Sequence, residues 1–227
     1  MSSLWGSLVP LILASMFVPV QIMITLLLLR SSSGKVTAWA FAAGMTVVRL
    51  LQGAIFGLVL SNATTANADQ GGPGLVLSIV LLVLGVVFLA TGAKSMMTGE
   101  DPDAPPPKWL TMTEGMGPAK AFLLGGGLLL VAPKFWVFTL GAIGAIGAAN
   151  LGQPSAGLTF VVFAVLAQGL TLAILLYATM APRQSRHVLD ATAQWLEDKN
   201  REIMIVIGLV FGIWFSAKGL VGLGLFS

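Results

Sequence analysis

Six long apolar stretches limit what this chain can become: Leu4 to Leu29, Val36 to Leu60, Leu75 to Met97, Ala119 to Ala149, Ala156 to Met180 and Ile203 to Leu225. A hydrocarbon core of ~30 Å takes about 20 apolar residues per crossing helix. Within lipid every backbone N–H and C=O must find a partner inside the protein, which a helix provides for itself. With 56% hydrophobic and 9% charged residues, the chain cannot clothe a soluble domain of this size in polar surface. The expectation is an all-α integral membrane protein with six transmembrane helices. No basic residue precedes the first stretch in "MSSLWGSL", so it reads as a retained span and not as a cleavable leader.

The placement of charge orients the spans. Arg30 and Lys35 fall in the first connection, Lys94, Lys108 and Lys120 in or beside the third, and Arg183, Arg186, Lys199 and Arg201 in the fifth, with none in the second or fourth. By the positive-inside rule the odd connections are cytoplasmic and both termini lie outside. The third connection, "TGEDPDAPPPKWLTMTEGMGP", is rich in proline and acid and divides the chain into 1–97, a linker 98–118, and 119–227. Three spans on each side make the halves face the membrane in opposite senses. "SMFVPVQIMI" and "LLVAPKFWVF" place Pro19 and Pro133 at similar depths in the first and fourth spans, and "VTAWAF" in the second is echoed by "LTFVVF" in the fifth. The pattern predicts two inverted three-helix repeats with helices 1 and 4 broken, an arrangement common among secondary transporters. The segment "RQSRHVLDATAQWLEDKNRE" is expected either to lie flat on the inner membrane surface or to form a solvated helical linker.

Within the spans, the cations stand out. Arg49 lies ~20 Å and Lys134 ~22 Å from the expected cytoplasmic ends of their helices, near the bilayer midplane. Lys218 has a similar count but is close enough to the outer end of its span to snorkel. All nine acidic residues fall in connections, so no carboxylate is expected to neutralise Arg49 or Lys134. Gln21, Gln52 and Gln168, with backbone carbonyls freed by Pro19 and Pro133, can solvate a cation but not cancel its charge. The missing negative charge is therefore expected on a ligand, with Arg49, Lys134, Gln21, Gln52, Gln168 and Lys218 as its candidate binding residues. "GAIFG" at Gly53 to Gly57, "GLVFG" at Gly208 to Gly212 and the Gly141, Gly144, Gly147 series suit close helix packing. "GGG" at Gly125 to Gly127 is expected to let the fourth helix flex.

Other chemistries are poorly supplied. There is no cysteine and a single His187, so neither thiol chemistry nor a metal cluster is expected, and no cofactor is implied. The spans carry no histidine, cysteine or carboxylate, and neither HExxH nor GxSxG occurs, so the chain is not expected to be an enzyme. A net charge of +3, dispersed along the chain, does not suggest nucleic acid as a partner.

With its "LLLLR" end to the first span, its proline-rich middle connection and the segment "GPAKAFLLGGGLLLVAPKFWVFTLGAIGAI", the chain resembles the Gap-like family. These are the peptidoglycolipid- or sulfolipid-addressing proteins, a branch of the lysine exporter superfamily. The resemblance implies a place in the bacterial cytoplasmic membrane and a part in moving surface glycolipids. It also implies that Pro19 and the Pro133, Lys134 pair fall where the superfamily's broken helices meet. The expected function is a transporter or flippase that exports an anionic lipid or glycolipid. The alternatives are an exporter of an amino acid or organic anion, and a non-transporting accessory subunit of a lipid-export complex. A homo-oligomer or an envelope lipid-export complex is the assembly to look for.

Overall fold

The computed structural model describes residues 2–31, 34–66, 73–97 and 115–225. Every regular element among them is a helix: α1 (Ser2–Met16), α2 (Pro19–Arg30), α3 (Gly34–Ala66), α4 (Pro73–Met97), α5 (Pro118–Val131), α6 (Pro133–Ala148), α7 (Ser155–Leu166), α8 (Gly169–Met180) and α9 (Pro182–Gly222). Parts of α3, α4 and α9 are long and apolar enough to cross a membrane alone, over Gly34–Gly57, Ser78–Met97 and Arg201–Gly222. The other helices form three bent pairs: α1 with α2 at 45°, α5 with α6 at 69°, and α7 with α8 at 59°. Counting each bent pair as one crossing gives the six spans expected, in a multi-pass membrane protein. Large apolar side chains such as Leu51, Ile55, Val86, Val161, Val210 and Ile213 face outward, as lipid permits and water would not.

The breaks at Pro19 and Pro133 fall where expected, but a third, between Leu166 and Gly169, does not. It has no counterpart in α3, the helix that a division into equal halves pairs with the fifth span, and which runs unbroken from Gly34 to Ala66. α3 also continues past the expected end of the second span, so Ser61 to Ala66 are helical and not connection. Most of the expected 98–118 linker lies outside the described residues; Gly115 turns at a φ of 66° and Pro118 opens α5. The segment after Pro182 is helical, as both readings of it require, but it is not a separate element. It runs continuously into the sixth span as one 41-residue helix, ~60 Å long at a rise of ~1.5 Å per residue and so about twice the hydrocarbon thickness.

Two glycine-mediated pairings hold the bundle. Along α4 and α9, a Cβ on Gly208 would stand 2.6 Å from the Gly92 Cα, and one on Gly219 would stand 2.6 Å from the Leu82 nitrogen. Between α3 and α5, a Cβ on Gly44 would overlap the Phe122 carbonyl, and one on Gly125 would overlap the Phe41 carbonyl. Small residues let backbones approach closely, which is the principal source of helix association in lipid. The "GGG" run is thus a packing face at Gly125 and Gly126, with only Gly127 open, and not the flexible point expected. In "GAIFG", Gly53 abuts the Phe160 ring and Gly57 meets nothing. Phe88 joins the frame to α6 through edge contacts to Phe138 and Phe215 at 5.7 and 6.0 Å.

Candidate functional site

Each break takes from a helical carbonyl its usual donor four residues on, and at each a glutamine side chain bonds that carbonyl. Pro19 has no N–H to give the Ser15 carbonyl four residues earlier. The Gln21 amide donates to that carbonyl at 2.7 Å and to Met16 O at 3.2 Å. Pro133 likewise abandons the Leu129 carbonyl, which accepts a long bond of 3.5 Å from the Gln52 amide, while Trp136 Nε1 donates to Leu130 O at 2.8 Å. The third break needs no proline. Gln168 N–H bonds Val165 O at 3.2 Å instead of continuing the helix, and its own side-chain amide reaches the abandoned Ala164 carbonyl at 3.4 Å. A carbonyl left unpaired in lipid costs several kcal/mol on the order of a lost hydrogen bond or more, so these amides are part of what makes the breaks tolerable.

Gln21, Gln52 and Gln168, expected among the ligand-binding residues, thus each give at least one amide N–H to a carbonyl at a break. Their oxygens differ. Gln52 Oε1 accepts from Thr139 Oγ1 at 3.3 Å, whereas Gln21 Oε1 and Gln168 Oε1 are buried with no hydrogen-bond partner.

α3 ties the breaks together. Thr46, Arg49 and Gln52 recur every third residue and so share one face of the helix. Thr46 Oγ1 accepts from Gln168 Nε2 at 3.1 Å, at the third break. Arg49 Nη2 donates to Ser15 Oγ at 3.2 Å, in the last turn of α1 before the first break. Its guanidinium carbon stands 5.9 Å from the centre of the Phe163 ring in α7. Gln52 reaches α5 and, through Thr139, α6. A single unbroken helix therefore contacts all three broken spans through its polar residues.

Arg49 is the one charged side chain among the described residues with no accessible surface, and its Nε and Nη1 have no partner. The ion pair seen among those residues, Lys199 with Glu202, is exposed on α9. Thr171 Oγ1, in the first turn of α8, is a further buried group without a partner. The helices that restart after the breaks, α2, α6 and α8, have no side-chain cap on their N-terminal N–H groups. Such ends carry partial positive charge and favour anions. The formal charge buried here is that of Arg49, which has spare donors, while Gln21, Gln168 and Thr171 have spare oxygens.

Pro133 opens α6 and Lys134 follows it in the first turn, while the side chains of both lie outside the described residues. Lys218 does not join the buried face: it is exposed, with its ammonium 5.0 Å from the centre of the Trp214 ring one turn away. Ser15, Thr46, Thr139, Phe163 and Thr171 were not anticipated. The polar spacing of three in "TVVRLLQ" and the polar residue before glycine in "AQG" are the traces of Thr46 and of the third break in the sequence, and neither compels an inward face or a break.

The model of the sulfolipid-1-addressing protein family matches residues 8–221, all three breaks and the whole α3 seam included. The chain belongs to that family. No curated protein and no solved structure matches it.

Proposed function

We propose that the protein is a transporter or flippase for an acidic glycolipid, with Arg49 as the ligand of the anionic headgroup and the three breaks as its moving parts. The observation that carries this reading is the state of Arg49: fully buried, its Nε and Nη1 donors unused, and no carboxylate against it among the described residues. A cation at the bilayer centre costs about 2.5–3.5 kcal/mol on insertion scales, and such residues mark substrate pathways. A sulfate or carboxylate would give Arg49 a charge partner, and Lys134 is the second cation proposed to meet it. The unpaired oxygens of Gln21, Gln168 and Thr171 ask for donors, which the hydroxyl groups of a sugar would supply. Family membership supports the same class of lipid.

Arg49 has no open surface, so a headgroup reaches it only when helices part around it. The breaks are the places where that costs least, since their hydrogen bonds are held by side chains and not by a continuous helical ladder. In this reading the chain belongs to the lysine exporter superfamily, is built as two inverted repeats, has both termini outside, resides in the bacterial cytoplasmic membrane and is not an enzyme. Single cysteines at Ser3, Asn67, Thr111 and Ser185 test the topology. An impermeant maleimide applied to intact cells should label the first two only, and labelling of the latter pair alone would invert it.

The function itself is tested with purified protein in vesicles. The parent should move an acidic glycolipid between leaflets unaided, Arg49→Met should abolish the movement, and Arg49→Lys should retain part of it. A parent that binds the lipid but moves none would favour the accessory role. Movement of an amino acid or small organic anion without lipid would favour the small-molecule exporter, and unimpaired Arg49→Met would remove Arg49 from the mechanism.

A further inference from the structure

The first break has two faces, and only one of them belongs to the polar centre. Toward Arg49 it presents Ser15. On the other side, Val18 and Pro19 form one wall of a crevice closed by Val87 and Thr91 of α4 and Ile207 and Gly208 of α9. The lining is apolar in effect, because the Thr91 hydroxyl is already bonded to Val87 O at 2.7 Å. The break adds little polarity. Phe17 N–H bonds Leu13 O at 3.1 Å, Val18 N–H bonds Ser15 O at 3.4 Å, Pro19 has no N–H, and Gln21 covers the carbonyls of Ser15 and Met16. A water in this crevice would lack the two to four polar partners that hold buried water in place.

The crevice lies at a definite depth. Arg201 donates to Ser95 O at 2.9 Å and to Met96 O at 3.2 Å, fixing the end of α4 beside the start of the sixth span. Gly208 is ~10 Å and Thr91 ~9 Å inward from that end at ~1.5 Å per residue. The crevice therefore sits in the half of the bilayer bordered by Lys94 and Arg201, where hydrocarbon chains are the surrounding solvent.

We infer that the crevice between the first break, α4 and α9 is a binding site for one acyl chain of a membrane lipid, entered from the leaflet on the Arg201 side. The inference rests on the Arg49 reading for the headgroup and extends it to the tail. The break is then the partition of an amphiphile site: its polar face serves the headgroup and its apolar face serves the chain. Filling the crevice with methylene groups restores the dispersion contacts that an empty space forfeits. It also couples chain binding to the hinge, since Val18 and Pro19 are the hinge.

The test uses full-length protein in vesicles with two lipids that carry a diazirine in mid-chain, one with an acidic headgroup and one zwitterionic. After irradiation, adducts should concentrate on the segments 87–91 and 204–208. Val87→Trp and Ile207→Phe, which fill the crevice from opposite walls, should each lower that labelling about tenfold, the factor expected for keeping two methylenes out of an apolar site. Adducts spread evenly over outward residues such as Ile79, Val83, Val210 and Ile213, or undiminished labelling in folded Val87→Trp and Ile207→Phe, would overturn the inference. Arg49→Met separates the two readings. If it leaves acidic-lipid labelling of the crevice unchanged, the headgroup assignment fails and the chain site stands. If headgroup selectivity depends on Arg49 while the crevice is never labelled, the chain site fails and the headgroup assignment stands.

Discussion

The α4–α9 contact and the polar face of α3 lie in one small bundle, yet they are built on opposite principles. Along α4 and α9 the backbones touch at Gly92, Gly208 and Gly219, with the Phe211 and Phe215 rings stacked on each other beside them and Phe88 meeting both at an angle. Contacts of that kind have one geometry and no spare valence. Around α3, three helices are interrupted, glutamine amides replace missing backbone donors, and Arg49 keeps unused hydrogen-bonding capacity. Van der Waals packing tolerates little movement, whereas side-chain hydrogen bonds can be exchanged for others of similar energy. The pair is a frame, and the seam is where the molecule can afford to change.

The largest effect should come from prying the frame apart. Gly208→Leu places a side chain into the Gly92 backbone, and overpacking of this kind costs about 1–3 kcal/mol or more. Gly57→Leu, at a glycine with nothing within 4 Å, is the control. Thermal unfolding in detergent should show a large fall for the first and almost none for the second; equal falls would mean that the glycines do not define a frame.

Removing a break's amide should come next. Gln21→Leu strips the amide from the Met16 carbonyl and leaves Ser15 O with only the long bond from Val18 N–H, for a loss of about 1–3 kcal/mol in the same assay. Gln21→Glu should be no better, because it directs a carboxylate at two carbonyl oxygens. Read from sequence alone, that substitution offers Arg49 a counter-ion; with the hydrogen bonds known, it also removes a donor. A stable Gln21→Glu protein would show that the amide does not support the break.

These contrasts mark what sequence could and could not say. The spans were legible because lipid imposes a length, and the breaks at Pro19 and Pro133 because proline removes an N–H wherever it falls. The third break was not, since Gln168 and Gly169 carry no such compulsion and a glutamine in mid-span reads equally as a ligand. Arg49 was found by its charge. Its neighbours Thr46 and Gln52 share its face at a spacing of three, but in α3 almost every other residue is apolar, so periodicity could not tell an inward face from a lipid-facing one. Lys218 was included for the same reason: depth along a helix is legible in sequence, and rotation about its axis is not.

A smaller effect is expected at the third break. Thr46→Val removes the acceptor for Gln168 Nε2 and should cost about 1 kcal/mol, while hastening amide exchange in the turns flanking Leu166 and Gly169. Exchange unchanged there would make the Thr46 contact incidental. The smallest effect belongs to Lys218→Met. It gives up an exposed cation–π contact worth about 0.5–1 kcal/mol and should leave lipid binding unaltered. A marked loss of acidic-lipid binding would place Lys218 in the site after all.

The account depends most on Arg49 being an unpaired cation that an acidic headgroup completes. The direct measurement is the affinity of purified parent and Arg49→Met proteins for an acidic glycolipid and for the same lipid with its acidic group removed. A hydrogen bond to a charged group contributes about 1.5–3 kcal/mol, so the parent should prefer the acidic form by at least about tenfold. Arg49→Met should erase that preference and leave affinity for the neutral form in place. A preference that survives in Arg49→Met, or a parent that does not distinguish the two lipids, would contradict it.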